Sequence, residues 1–246
     1  MFNRLRFFFV VLVLAFFSVL LCLPARAGEG DQERQVAEAI AKIITGARVV
    51  ISENQKLLND PNLGDKGFTV AVFEQKASAK IKELFGIDVK DKSLSLEAKA
   101  MWEATKQTVQ EAQPIINKKG VAYKGFIPAV FAKIAAAKFM AKTPGAYAKL
   151  TTVTPIRNIV NKPDEWESRA GNMFRSLSYE KGKPYSEVVT MKGKKMLRLM
   201  QPEYYGAGCM TCHGVPKGET HIGGGKKEGL KEGEAGAGFS VALPVK

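Results

Sequence analysis

A five-residue stretch near the C-terminus, Cys209-Met210-Thr211-Cys212-His213, constrains this chain more than any other feature. It has the C-x-x-C-H form that attaches a c-type haem: two thiols add to the vinyl groups of the haem, and the adjacent histidine becomes an axial ligand of the iron. The short spacing lets both sulfur atoms reach one macrocycle. The motif therefore predicts one covalently attached haem c, with Cys209 and Cys212 as attachment sites and His213 as the proximal iron ligand.

Two other readings of the motif are weaker. A structural zinc site needs four protein ligands, and the rest of the chain adds only Cys22 and His221 as cysteine or histidine donors. A dithiol redox site of the C-x-x-C type calls for a thioredoxin-like βαβ context, which the flanking sequence does not supply. We therefore favour haem attachment.

The first 27 residues have the parts of a secretory signal peptide. A basic start without acids is followed by an unbroken apolar run from Phe7 to Leu23 and by the small-x-small sequence Ala25-Arg26-Ala27. We expect cleavage after Ala27 and export to the periplasm, where c-type haem attachment takes place. Two alternatives are retention of the apolar run as a short membrane anchor, which we favour less, and lipidation of Cys22.

The formal charge of the chain bears on its partners. Removal of residues 1–27 takes away three arginines and no acid, which lowers the net charge from +13 to +10. A basic surface suits an acidic redox partner protein or peripheral contact with an anionic membrane; the alternative is a solvated surface with no dedicated partner. Nucleic acid is not an expected partner, because the lysines are dispersed and the compartment lies outside the cell interior.

The N-terminal half has the apolar periodicity of α-helices. Apolar positions recur at three- and four-residue spacing over residues 31–59, which predicts a long helix. Residues 95–116 and 129–140 are also predicted to be helical. Two stretches that share K-G-F-x-x-A-V-F predict similar helix starts, one at Thr69 and one at Pro128.

The character of the chain changes after residue 144. A short β-branched run spans Thr151–Thr154, and Pro163 at a first helical position predicts a helix through about residue 177. Ser186–Met191 and Lys195–Gln201 are predicted to form a β-hairpin whose second strand lines one side of the haem. The glycine- and lysine-rich residues 214–238 are predicted to wrap the haem edge, and Gly238–Pro244 to form a last strand.

Several further motifs accompany C-x-x-C-H in a fixed order. They are Asn59-Asp60-Pro61-Asn62, Thr154-Pro155-Ile156-Arg157-Asn158, Pro163-Asp164-Glu165-Trp166-Glu167, Pro202-Glu203-Tyr204-Tyr205, Lys227-Glu228-Gly229 and Gly236-Ala237-Gly238-Phe239-Ser240-Val241. Together they resemble the Tll0287-like (DUF3365) family of c-type haem proteins over nearly the whole exported chain. The resemblance implies an α+β fold with a PAS-like antiparallel sheet and flanking helices, preceded by a long N-terminal helix. We expect residues 28–246 to form a single haem domain.

The sixth iron position is open at this level. The candidates are His221, Met196, Met200 and a vacant or water-filled site. A cysteine ligand is not a candidate, because Cys22 is expected to leave with the signal peptide.

Arg157 and Arg198 are candidates for binding the haem propionates, since a guanidinium can hold a carboxylate through two hydrogen bonds. Ordinary surface or core-edge roles are the alternative for both arginines.

Two functions are consistent with these features. One is an exported monohaem c-type cytochrome that transfers electrons in the periplasm, and the other is a haem-based redox or gas sensor that signals to a partner protein. We do not expect an enzyme; a peroxidase-type activity is a weaker third reading, because no distal acid–base pair can be assigned. A homodimer through the long helix is a further option.

Overall fold

The computed structural model describes residues 28–152 and 157–246. The predicted signal peptide, its cleavage site and Cys22 lie outside the described residues. So do the last two positions of the β-branched run, Val153 and Thr154.

Five helices form the first half of the described chain, and they cover the four segments that the sequence predicts to be helical. They are α1 (Asp31–Glu53), α2 (Gln55–Leu58), α3 (Val70–Phe85), α4 (Leu96–Ile116) and α5 (Pro128–Lys142). The predicted long helix is confirmed but is interrupted at Asn54, whose side chain donates to the Val50 carbonyl at 2.7 Å. Both predicted helix starts are confirmed: the Thr69 hydroxyl accepts from the Val72 N–H, and Pro128 is the first residue of its helix.

Four strands form one antiparallel sheet in the second half. They are β1 (Tyr147–Thr151), β2 (Tyr185–Met191), β3 (Lys194–Tyr204) and β4 (Ala235–Pro244), in the order β1-β4-β3-β2. The predicted hairpin is β2–β3, closed by Lys192 and Gly193, which both have positive φ as a tight type I′-like turn requires. The predicted last strand is also confirmed. The architecture is therefore α+β.

The helix of the second half begins later than the sequence predicts. Helix α6 spans Glu165–Met173, and Asp164 is its N-cap in a reciprocal capping box with Glu167. Pro163 therefore lies before the cap instead of in the first turn. The carboxylates of this first turn are held by a cation on the neighbouring sheet, Arg198, which the local sequence does not reveal.

Helix α1 forms the centre of the molecule. It packs against α3, α4 and α5 on one side and against β3 and β4 on the other. Leu197 and Leu199 of β3 are fully buried in the hydrophobic core that these elements share. The second hairpin strand therefore supports the core with these side chains, and the prediction that they line a haem is wrong. No described helix is both long enough and apolar enough to cross a membrane.

Candidate haem-attachment site

The C-x-x-C-H motif lies in the long connection between β3 and β4. A 3-10 turn, Ala207–Cys209, leads into a single helical turn, α7 (Met210–His213). Gly208 lets this turn approach α1 closely, because a Cβ added there would lie 2.6 Å from the Ser52 hydroxyl oxygen. A Cβ on Gly214 would lie 2.7 Å from the Met210 carbonyl oxygen. Both glycines are thus required by the packing of the motif.

The motif borders a cavity of about 360 Å³ that α1 closes on the opposite side. Both cysteines are free thiols of intermediate exposure, and both line this cavity together with His213. The opposite wall is built by Arg48, Ser52, Gln55, Tyr123, Ile127 and Pro128. The volume of this cavity falls in the range of about 300–1,000 Å³ that is typical of cofactor sites. Two thiols and an imidazole on one cavity are the donor set that covalent haem attachment needs.

The ring of His213 is oriented by the side chain of Glu228. The Nδ1 atom lies 2.9 Å from Glu228 Oε2, and the ring packs against Tyr205 with 5.0 Å between centroids. Since Nδ1 is engaged, Nε2 is the nitrogen left to bind a metal. Burial and the nearby Arg157 charge lower the pKa of His213, which favours the neutral imidazole that iron requires.

Arg157 holds the Glu228 carboxylate with two hydrogen bonds. Its Nε lies 2.5 Å from Oε1 and its Nη2 lies 2.6 Å from Oε2, while Nη2 also donates to the Cys212 carbonyl at 2.7 Å. Burial alone would raise the pKa of Glu228, but the hydrogen bonds and charge of Arg157 outweigh it, together with the charge of His213. The pKa of Glu228 is therefore lowered, and the carboxylate is ionised at neutral pH.

The structure places Arg157 at the cavity, with its Nε and Nη2 donors already engaged. Besides Glu228 and Cys212, the guanidinium donates to the Lys226 carbonyl at 3.3 Å. The propionate role stays a prediction.

His221 also lines the cavity, on the loop that follows the motif. Its Nδ1 accepts the Gly223 N–H at 3.0 Å, and its Nε2 lies 3.3 Å from Arg157 Nη1. A Cβ on Gly225 would lie 2.6 Å from Nε2, so the loop glycines fit closely around the ring. Iron ligation by His221 stays a prediction, and it requires the ring to release one of these contacts.

The structure does not bring the other three candidates to the cavity. Met196, Arg198 and Met200 alternate along β3 with the leucines that face α1, so they point to the opposite face of the sheet. Met200 packs in a second hydrophobic cluster with Trp166 of α6, and Arg198 pairs with Asp164 at 2.8 Å. These three residues precede the motif closely in sequence, but this does not bring them to the cavity. Strand β3 continues past them to Tyr204 before the chain turns toward Cys209.

Two residues of the cavity wall form a largely buried ion pair that the sequence motifs do not predict. Arg48 of α1 pairs with Glu203, and burial lowers the pKa of Arg48 to about 10. Glu203 also accepts the Thr45 hydroxyl at 3.0 Å. The sequence did contain one indication of this ion pair: Arg48 directly follows Ala47 within the apolar stripe of α1, where a charged side chain needs a partner. Glu228 lies in the motif Lys227-Glu228-Gly229, but nothing in the sequence indicates its contact with His213, which only the fold creates.

A family model described as Tll0287-like matches residues 28–244. No curated protein matches the chain. Among solved structures, a crystal structure of the cyanobacterial haem protein Tll0287 is similar at 17% sequence identity, covering 48% of this chain and 71% of that chain with a TM-score of 0.39.

Proposed function

We propose that this chain, which belongs to the Tll0287-like family, is an exported monohaem c-type cytochrome that transfers electrons in the periplasm. The observation that carries the proposal is the convergence of Cys209, Cys212 and His213 on one cavity. The hydrogen bond at Nδ1 leaves the second nitrogen of His213 free for iron. These are the three protein contacts that define a c-type haem.

Each residue of the site then has a distinct task. The two thiols would bind the cofactor covalently, and His213 would bind its iron. When bound, haem supplies a one-electron redox centre. Tyr205 packs on the proximal imidazole and restricts its rotation, and burial raises the pKa of Tyr205 to about 12, so its phenol stays neutral.

The charge around the site supports an acidic redox partner. A second, open cavity of about 1010 Å³ shares Tyr204, Tyr205 and Glu228 with the surroundings of the motif, and it is bordered by Arg175, Lys181, Lys217, Lys226 and Lys227. Lysines at such a position steer an acidic protein toward the cofactor, and this steering weakens as the salt concentration rises. Contact with an anionic membrane surface and a homodimer stay predictions. We propose no enzymatic turnover.

A haem-based redox or gas sensor is the second candidate function. Of the methionine and histidine candidates for the sixth iron position, only His221 lines the cavity among the described residues; its Nδ1 accepts the Gly223 N–H and its Nε2 lies against Arg157. An iron position without a firm protein ligand suits an exogenous gas. Rapid carbon monoxide binding by the reduced protein would favour this sensor over a closed six-coordinate carrier.

Loss of the two thiols tests the proposed function directly. The full chain is expressed in a bacterial host that attaches c-type haem, and covalent haem is measured by peroxidase staining after denaturing electrophoresis. We expect the double variant Cys209→Ser/Cys212→Ser to lose the stain completely, because both thioether bonds are removed.

Cys22→Ser is the matched control, because it removes the third cysteine of the chain without touching the motif. It should keep the stain of the wild type. Haem that dissociates from the denatured wild-type protein would refute covalent attachment.

A further inference from the structure

We propose that Glu228 is a positioning residue for the iron ligand His213 and lowers the reduction potential of the haem, with Arg157 holding its carboxylate in place. The inference rests on the proposed function, because it assumes that His213 binds the iron of an attached haem. It goes beyond that function by naming the protein group that sets the redox property of the site.

The first step is the position of Glu228, fifteen residues along the chain from His213. Two backbone hydrogen bonds align its segment with the motif: the Leu230 N–H donates to the His213 carbonyl at 2.9 Å, and the Gly229 N–H donates to the Gly214 carbonyl at 3.2 Å. The carboxylate is thereby placed 2.9 Å from Nδ1 of the ring. A ligand histidine commonly has such a partner on its second nitrogen, and the partner fixes both its tautomer and its orientation.

The second step is the anchor of that carboxylate. Arg157 grips Glu228 at both oxygens and the Cys212 carbonyl with the same guanidinium. One cation therefore ties the acceptor to the motif itself. The glutamate cannot swing away from His213 without breaking a bidentate ion pair.

The third step is the chemistry of an ionised acceptor. A carboxylate that accepts the Nδ1 proton makes the imidazole a stronger electron donor than a neutral carbonyl would. A stronger donor stabilises ferric over ferrous iron, so the reduction potential falls. Both side chains are about one quarter exposed, at 25% for His213 and 22% for Glu228, so water screens this hydrogen bond only in part.

The test compares two substitutions of Glu228 in the haem-loaded full chain. Glu228→Gln keeps an acceptor oxygen but loses the negative charge. Glu228→Asp keeps the charge, but its side chain is one methylene shorter, which moves the carboxylate away from the His213 ring. We expect both variants to raise the midpoint potential, measured by optical redox titration. For Glu228→Gln we expect about a tenfold change in the reduction equilibrium, which is about 59 mV for one electron.

Glu219→Gln is the matched control. Glu219 lies in the same connection and pairs with Lys227, but it makes no contact with His213. It removes the same charge and should leave the potential unchanged. Equal haem content and equal thermal unfolding of all variants separate the tuning from a general loosening of the site.

The outcomes distinguish this inference from the proposed function. A wild-type chain without covalent haem overturns both. An attached haem whose potential is the same in the wild type and in both Glu228 variants overturns the inference alone. It is also overturned if Glu228→Asp retains the wild-type potential while Glu228→Gln and Glu219→Gln shift equally, since charge without the hydrogen bond would then account for the effect.

Discussion

At the scale of single residues, a cluster of charged side chains is buried between β3 and α6, away from the haem site. Glu167 is fully buried and pairs with Lys149 at 2.6 Å, while Arg198 lies 3.3 Å from Glu167 and stacks over the Trp166 ring at 4.4 Å. Burial opposes the charge of Lys149, but the hydrogen bond and charge of Glu167 outweigh it and raise the pKa of Lys149. These charges have been removed from water, which costs free energy, so each of them is stable only while its partners are present.

Removal of one cation from this cluster should strongly destabilise the fold. We expect Arg198→Met to lower the free energy of unfolding by about 3–5 kcal/mol, because it leaves a buried carboxylate with one cation fewer. Urea denaturation followed by circular dichroism measures the change.

Arg169→Met is the matched control for that substitution. Arg169 lies on α6 and makes an exposed pair with Glu165 at 3.2 Å. A change of about 0.5 kcal/mol or less is expected, as for other surface pairs. Equal losses in the two variants would show that the buried cluster contributes nothing special.

At the scale of elements, the close crossing of α1 and α3 depends on one glycine. A Cβ on Gly46 would lie 2.6 Å from Ile81 Cγ1 and 3.2 Å from Ile81 Cα, so the two helix backbones meet there. A methyl group at this point must push the helices apart, since the core around it is fully buried.

Gly46→Ala should therefore destabilise the protein despite the higher helix propensity of alanine. Overpacking costs about 1–3 kcal/mol, against a propensity gain of about 1 kcal/mol. Thermal unfolding of the haem-loaded protein gives the comparison. Gly64→Ala is the control, because no atom lies within 4 Å of its added Cβ; an equal or higher melting temperature for Gly46→Ala would contradict the close crossing.

The elements also show which parts of the structure the sequence could predict. The helices were predictable because apolar spacing and the caps at Thr69 and Pro128 are local signals. The β2–β3 hairpin was predictable from its alternation and turn. Which face of β3 packs against α1 was not predictable, because that depends on which sheet face α1 covers in the fold.

The same distinction applies to the site. The placement of Cys209, Cys212 and His213 on one cavity was predictable because the short spacing of C-x-x-C-H keeps them together. Glu228 was not, because its contact with His213 arises from the fold of a long irregular connection. Arg157 was predicted at the site, but its carboxylate partner is Glu228 of the chain itself.

At the scale of the whole molecule, the haem site lies outside the hydrophobic core that holds the fold together. The connection between β3 and β4, residues 205–234, contributes no buried member to either hydrophobic cluster of the described chain. Its contacts are chiefly hydrogen bonds, such as those from the Tyr205 N–H to Glu234 and from the Gly233 N–H to Tyr205. The helices and sheet should therefore fold without the cofactor.

A chain that cannot bind haem covalently should accordingly keep its fold and lose order only in this connection. We expect Cys209→Ser/Cys212→Ser to retain the helical circular dichroism spectrum and a cooperative unfolding transition. Trypsin should cleave it at Lys217, Lys226, Lys227 and Lys231 about tenfold faster than the haem-loaded protein, since the attached cofactor no longer opposes local opening. Mass spectrometry of timed digests identifies the sites.

Lysines in a packed element of the same molecules provide the internal control for this digestion. Lys133 and Lys138 lie on α5, which is packed against α4 and β1, and they should remain uncleaved in both proteins at early times. Cleavage throughout the helices of the variant, or loss of its cooperative transition, would show that the cofactor stabilises the whole fold. Equal cleavage of the connection in both proteins would show that haem attachment does not order it, and that the hydrogen bonds around Glu228 are sufficient.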